Sequence, residues 1–216
     1  LKFKLTLIIV VLALASMAQA QGALSNLSIG AGFEGIFPAA TYNKAPYISG
    51  SYPTTQSTTN SVGILAPDVR YDFGKHSAVG VALTINRNTE YFSNQYGTTY
   101  HVQTNNGELI GTYIFRLPAT EKFKPYAMVG GGMVRFAPNN DSNTGNQPSP
   151  SNKPAFAYGF GGDFKMSDHW GIRVQYRGLV RTSPDFKLSS SDVQNTFGTL
   201  KKTHVPEPAI EVFYHF

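Results

Sequence analysis

Fourteen charged side chains carry most of the chemistry this sequence offers. The acids are Glu34, Asp68, Asp72, Glu108, Asp163, Glu207 and Glu211, and the bases are Arg70, Arg116, Arg135, Lys165, Arg173, Arg177 and Arg181. Each stands one residue out of step with a neighbouring apolar series, so a regular strand would turn all fourteen to one side. Equal numbers of carboxylates and cations on one side point to ion pairing. A path selective for one sign of ion would show an excess of the other sign. An unpaired charge in a narrow enclosure is costly, which favours the paired reading.

Other chemistry finds less support. The five histidines are His76, His101, His169, His204 and His215. His101 and His204 fall near polar segments that also hold serines and Asp192, but no spacing ties them into a nucleophile–base–acid arrangement. No spacing of metal ligands appears, and without cysteine there is neither thiolate chemistry nor a disulfide framework. "GGGM" at 130–133 lacks the Lys-Ser/Thr of a phosphate loop and sits in the middle of an alternating segment. Glycine there suits a bend or a close approach. No catalytic residue, metal site or cofactor is assigned.

The elements that must position these charges are strands. The chain ends in "EVFYHF", where Ile210, Val212, Tyr214 and Phe216 alternate with Ala209, Glu211, Phe213 and His215. A period of two marks a strand. The same period recurs with Leu27, Ile29, Ala31 and Phe33; with Leu65, Val69, Tyr71 and Phe73; and with Val79, Val81, Leu83 and Ile85. Further on come Leu109, Gly111, Tyr113 and Phe115; Tyr126, Met128, Val134 and Phe136; Phe156, Tyr158, Phe160, Phe164 and Met166; and Trp170, Ile172, Val174, Tyr176 and Val180. These make eight strands of about ten residues. Short turns such as "GKHS", "LPATEK" and "SDH" alternate with longer polar connections, among them "PNNDSNTGNQPSPSNKP".

Composition bounds the answer. The 216 residues are 41% hydrophobic but only 14% charged, against about 25% charged in soluble domains. Two lysines, an apolar run from Leu5 to Ala15 and Ala18-Gln19-Ala20 read as a secretory leader over residues 1–20. The apolar run is too short for a spanning helix. The formal charge of +5 includes Lys2 and Lys4 of that leader, and the remainder is too mild to argue for nucleic acid.

Alternation alone also fits a soluble eight-stranded barrel turned inside out. The leader, the asymmetry of short and long connections, the aromatics at strand ends and the apolar ending favour a barrel in a membrane, where closing the sheet pairs every backbone group. "RYDFGKHSAVGVAL", "KPYAMVGGGMVRF", "YGFGGDFKMSDHWGIRVQYRGL" and "VFYHF" resemble the hairpins and ending of the small eight-stranded outer-membrane barrels of the OmpA/OmpX type. The resemblance covers residues 22–216. It implies an all-β fold, an eight-stranded antiparallel up-and-down transmembrane barrel over residues 21–216, in the outer membrane of a Gram-negative bacterium. It also implies that the barrel-assembly machinery recognises the last strand through Tyr214 and Phe216.

Three functions stay open at this stage: a structural or surface-binding barrel whose lumen is plugged by the fourteen charges, a narrow porin-like channel, and a lipid-modifying enzyme. The first is preferred. Its expected partners are outer-membrane lipids, the assembly machinery and an extracellular ligand met by the long loops. The loop tyrosines Tyr42, Tyr47, Tyr52, Tyr91, Tyr96 and Tyr100 suit either a binding surface or a headgroup girdle.

Overall fold

A computed structural model describes residues 24–43, 54–94, 99–118, 120, 122–142, 147–186 and 201–216. The leader, Asp192 and the tyrosines Tyr47, Tyr52 and Tyr96 lie outside the described residues. Among the described residues are ten strands: β1 (Leu27–Ile36), β2 (Thr41–Asn43), β3 (Thr54–Thr58), β4 (Ser61–Asp72), β5 (Ser77–Asn94), β6 (Thr99–Arg116), β7 (Phe123–Ser142), β8 (Ser151–Lys165), β9 (Trp170–Thr182) and β10 (Lys202–His215).

Eight of them close into an antiparallel barrel. Each of β4 to β9 pairs with the next, and β1 pairs with both β4 and β10. The last residue takes part in closure, since Phe216 N–H donates to Leu27 O at 3.1 Å. One rim carries the tight turns. Phe73 N–H donates to Ser77 O across one of them, and Met166 and Ser167 N–H both donate to Trp170 O across another. Both ends of the barrel sequence lie at this turn rim.

The other rim stands taller than the sequence suggests. β5, β6 and β7 run for 18, 18 and 20 residues, and β2 and β3 extend the sheet along the upper part of β5. Within the polar connection expected at 138–154, residues 138–142 and 151–154 are therefore strand. Side-chain ladders support these polar stretches. Thr104 Oγ1 donates to Asn88 Oδ1 at 2.8 Å, and Asn106 Nδ2 bridges Asn86 and Asn88 at 3.0 and 2.9 Å.

The outer face is apolar over the lower part of the wall. Phe33, Val62, Ile64, Phe160 and Val212 each remain more than half exposed, which a water-facing surface would not favour in such number. On β5 this series ends at Ile85, and Arg87 above it reaches Gln103 of β6. Aromatic rings gather at the turn rim: Phe73 beside Tyr113, Phe123 beside Phe164, and Tyr214 between Trp170 and Phe216.

Two segments depart from the expected phase. Leu65 points inward and is buried, because the register shifts between Leu65 and Asp68. Ala66 and Pro67 occupy this bulge, where Pro67 has no N–H to lose from the ladder. On β7 the interior takes Tyr126, Met128, Val134 and Phe136, and the outer face takes Val129 and Met133. Arg135 is consequently exposed on the outside, contrary to its expected inward position. The reason is that β7 is apolar on both phases, with Gly130, Gly131 and Gly132 leaving no side chain to tell them apart.

Candidate functional site

The inward-facing charges form two groups stacked along the barrel. The lower group lies near the turn rim and draws on β4, β6, β8, β9 and β10. Arg116 Nη2 meets Asp72 at 2.8 Å and its Nη1 meets Asp163 at 3.1 Å. Asp163 accepts from Arg173 Nε at 2.8 Å, and Arg173 Nη1 reaches Asp68 at 3.0 Å and Glu211 at 3.5 Å. Asp68 is shared with Arg70 at 2.8 Å. Gln175 then ties the group to the wall, its Oε1 accepting from Arg70 at 2.7 Å and from the Tyr126 hydroxyl at 3.0 Å. Such sharing suits the fork of a guanidinium, which carries five donors in one plane.

Backbone geometry makes room for this. Arg173 and Glu211 are register partners across β9 and β10, with Gly30 alongside on β1. A Cβ at Gly30 would stand 2.8 Å from Glu211 Oε2 and 3.4 Å from Arg173 Nη1. Aromatic faces complete the packing, with the Arg70 and Arg173 guanidiniums each 4.8 Å from the ring centres of Tyr126 and Phe213.

The upper group has a different stoichiometry. Arg177 alone serves three carboxylates, Glu207 at 2.6 Å, Glu34 at 3.0 Å and Glu108 at 3.1 Å, and all four side chains are buried. Thr84 Oγ1 donates to Glu34 at 2.8 Å, and Asn86 Nδ2 donates to Glu108 at 3.3 Å. Glu34, Glu108 and Glu207 offer oxygens within 4.8 Å of one another. They come from β1, β6 and β10, so no local spacing in the sequence could announce them as a set of cation ligands.

Above Arg177 the interior holds an apolar cluster beside buried polar groups such as Arg181 and Glu90. Ile36, Val134, Phe136, Leu179 and Val205 pack with Phe92 and Phe186 in one buried cluster. Phe186 enters it from beyond the end of β9, its ring edge-on to Phe92 and Phe136 at 6.1 and 6.4 Å. It does so with φ of 52°, a left-handed conformation uncommon outside glycine and strained for a bulky residue. The short segment 183–186 is tied on several sides. Gln56 Nε2 donates to Pro184 O at 3.2 Å, Ser151 Oγ and Lys153 Nζ both reach Asp185 Oδ1 at 3.2 Å, and Ser149 N–H donates to Phe186 O at 2.9 Å. Nothing in the sequence singled out Phe186.

The remaining expected residues lie apart from these groups. Lys165 is exposed at the turn rim, 3.3 Å from Asp168. Arg181 is buried with its guanidinium 4.5 Å from the Phe136 ring centre and makes no ion pair within 4 Å among the described residues. Glu90, which sequence reasoning missed, is buried near the tall rim and accepts from Thr58 at 2.6 Å and Gln56 at 3.4 Å. The described histidines make local contacts. His204 Nε2 lies 2.8 Å from the Tyr158 hydroxyl, and His76 and His169 contact backbone carbonyls at the turn rim.

A closed barrel with an apolar, aromatic-rimmed exterior and charges turned inward is a protein built to cross a membrane on strands. The chain belongs to the outer membrane protein beta-barrel domain family, whose model matches residues 6–200, and its place is the bacterial outer membrane. No curated protein matches the sequence. Among solved structures, the outer membrane protein OprG from Pseudomonas aeruginosa is similar at 13% identity and a TM-score of 0.57, covering 88% of this chain and 95% of that one. The attachment invasion locus protein Ail of Yersinia pestis, solved with the heparin analogue sucrose octasulfate, gives 16% identity and a TM-score of 0.49, with 88% and 97% covered. Neisserial surface protein A gives 11% and 0.48, with the same coverage. At 13% identity the likeness to OprG is one of fold alone.

Proposed function

We propose that this protein is a sealed outer-membrane barrel whose role is structural or surface-binding, with the lumen closed by its own side chains. The observation that supports the reading is the succession of buried groups along the interior: the Arg173 group, the Arg177 group, then the apolar cluster that includes Phe186. An eight-stranded barrel is just wide enough for side chains to fill. Ions would have to displace buried, mutually bonded charges to pass. Outer-membrane lipids hold the apolar band.

Two partners complete the proposal. Tyr214 and Phe216, on the lipid face of the strand that closes the barrel, suit recognition by the assembly machinery. On the extracellular side, strands standing above the apolar band present polar edges and aromatics such as Tyr42 and Tyr91 for a ligand. The test shortens those edges, joining β5 to β6 just above Arg87–Asn105 and β7 to β8 just above Phe136–Ser151. Cells displaying the shortened barrel should lose adhesion to protein- or polysaccharide-coated surfaces, while the barrel keeps its folded mobility on unboiled gels. Adhesion unchanged by the trimming would remove the surface-binding role.

A further inference from the structure

We propose that Glu34, Glu108 and Glu207 form a binding site for a hard divalent cation, Ca²⁺ or Mg²⁺, inside the barrel. Three carboxylates share one guanidinium, so the cluster carries two negative charges that no ion pair among the described residues offsets. Arg177 contacts the Oε2 atom of each glutamate, which leaves the three Oε1 atoms for other partners. Asn86 supplies one to Glu108. Glu34 Oε1 and Glu207 Oε1 are buried with no hydrogen-bond partner among the described residues.

A buried carboxylate oxygen without a donor costs free energy comparable to a lost hydrogen bond or more. A divalent ion would offset both charges and engage both oxygens at once. The chemistry of the donors selects the ion: all are oxygens, with neither sulfur nor imidazole among them, which suits Ca²⁺ or Mg²⁺ over softer metals. Size agrees as well, since one carboxylate oxygen from each glutamate lies within 4.8 Å of the others, a spacing that fits around one ion with oxygen distances of about 2.0–2.6 Å. The ion would enter during folding, because the Arg173 group lies below the site and the apolar cluster above it.

The barrel should be refolded in detergent with Ca²⁺, with Mg²⁺ or with chelator alone. Each sample is then washed with chelator, desalted and assayed for metal by inductively coupled plasma mass spectrometry, and its unfolding temperature is read from gel mobility. Wild type refolded with one of the ions should retain a single equivalent per barrel and unfold several degrees above the chelator sample. The double variant E34Q/E207Q should retain none and lose that difference while still migrating as folded. Should the double variant fail to fold, E207Q alone must reduce retention. Metal-free wild type with one unfolding temperature in all three conditions would overturn the proposal. So would equal retention by wild type and variant. An infrared signature of protonated carboxyls lost in E34Q/E207Q, with no metal retained, would assign the two compensating charges to protons instead.

Discussion

Arg177 and Glu207 face each other in register across β9 and β10, with Nε and Oε2 2.6 Å apart, and the same guanidinium also serves Glu34 and Glu108. The four side chains come from three adjacent strands, β1, β10 and β9, and from β6 on the opposite wall of the barrel. Removing the cation and removing one acid are therefore not equivalent changes.

Arg177→Leu leaves three buried carboxylates without the one base paired to them among the described residues, and breaking a buried pair in this way costs about 3–5 kcal/mol. Glu207→Gln removes one of three competing acids and should cost less than half as much. Denaturant unfolding of both variants in detergent with chelator present gives the comparison. Equal losses would mean that Arg177 acts through packing rather than charge.

The phase of the charges was legible because an ionised side chain tolerates lipid poorly and an apolar one welcomes it. Glu207, Glu211, Arg173 and Arg177 could be assigned to one side on that ground alone. The rule lapses where the exterior or interior changes character. Arg135 was misassigned because β7 presents apolar residues to both sides, and Leu65 because a bulge reversed the phase within β4. Above the apolar band the outer residues become polar too, as in Arg87 and Thr89 beside Asn86 and Asn88. Alternation then vanishes and strand reads as loop. Phe186 was invisible because its partners Phe92 and Phe136 are distant in sequence and it lies in an irregular, polar segment.

Phe186→Ala should test the top of the interior separately from its charged layers. The side chain is fully buried between two rings, and such a truncation typically costs about 3–5 kcal/mol. Unfolding should come earlier, yet bilayers containing the variant should stay electrically tight because both arginine groups remain. Stable conductance from Phe186→Ala alone would show that the apolar cluster, rather than the ion pairs, is the barrier.

Asp185 gives the tall rim a pH dependence. Partial burial works against its charge, but the hydrogen bond and positive charge of Lys153 hold its carboxyl below the usual range. A lowered folded value means the contribution is present above the ordinary carboxylate value of about 3.9 and is lost as pH falls through the folded value. The chain has no cysteine, so a spin label at Ser149→Cys reports on the contact with Phe186. It should be immobilised near neutrality and gain mobility in acid below the ordinary value, whereas Asp185→Asn should free it at every pH. A label indifferent to pH in the wild type would show that Lys153 does not hold the segment.

Phe216 lies on the outer face and its N–H completes the closing seam with Leu27. Phe216→Ser should lower the amount of assembled barrel in cells more than it lowers refolding into detergent. Quantifying the unboiled, fast-migrating form in both settings provides the ratio. Equal reductions would leave packing against Tyr214 as the whole explanation.

The central claim is that side chains close the lumen. Single-channel recording of the purified, refolded wild type in planar bilayers tests it most directly. The account predicts a baseline without stable conductance steps in either polarity. Large, long-lived, ion-selective openings would contradict the closed interior and make the protein a channel.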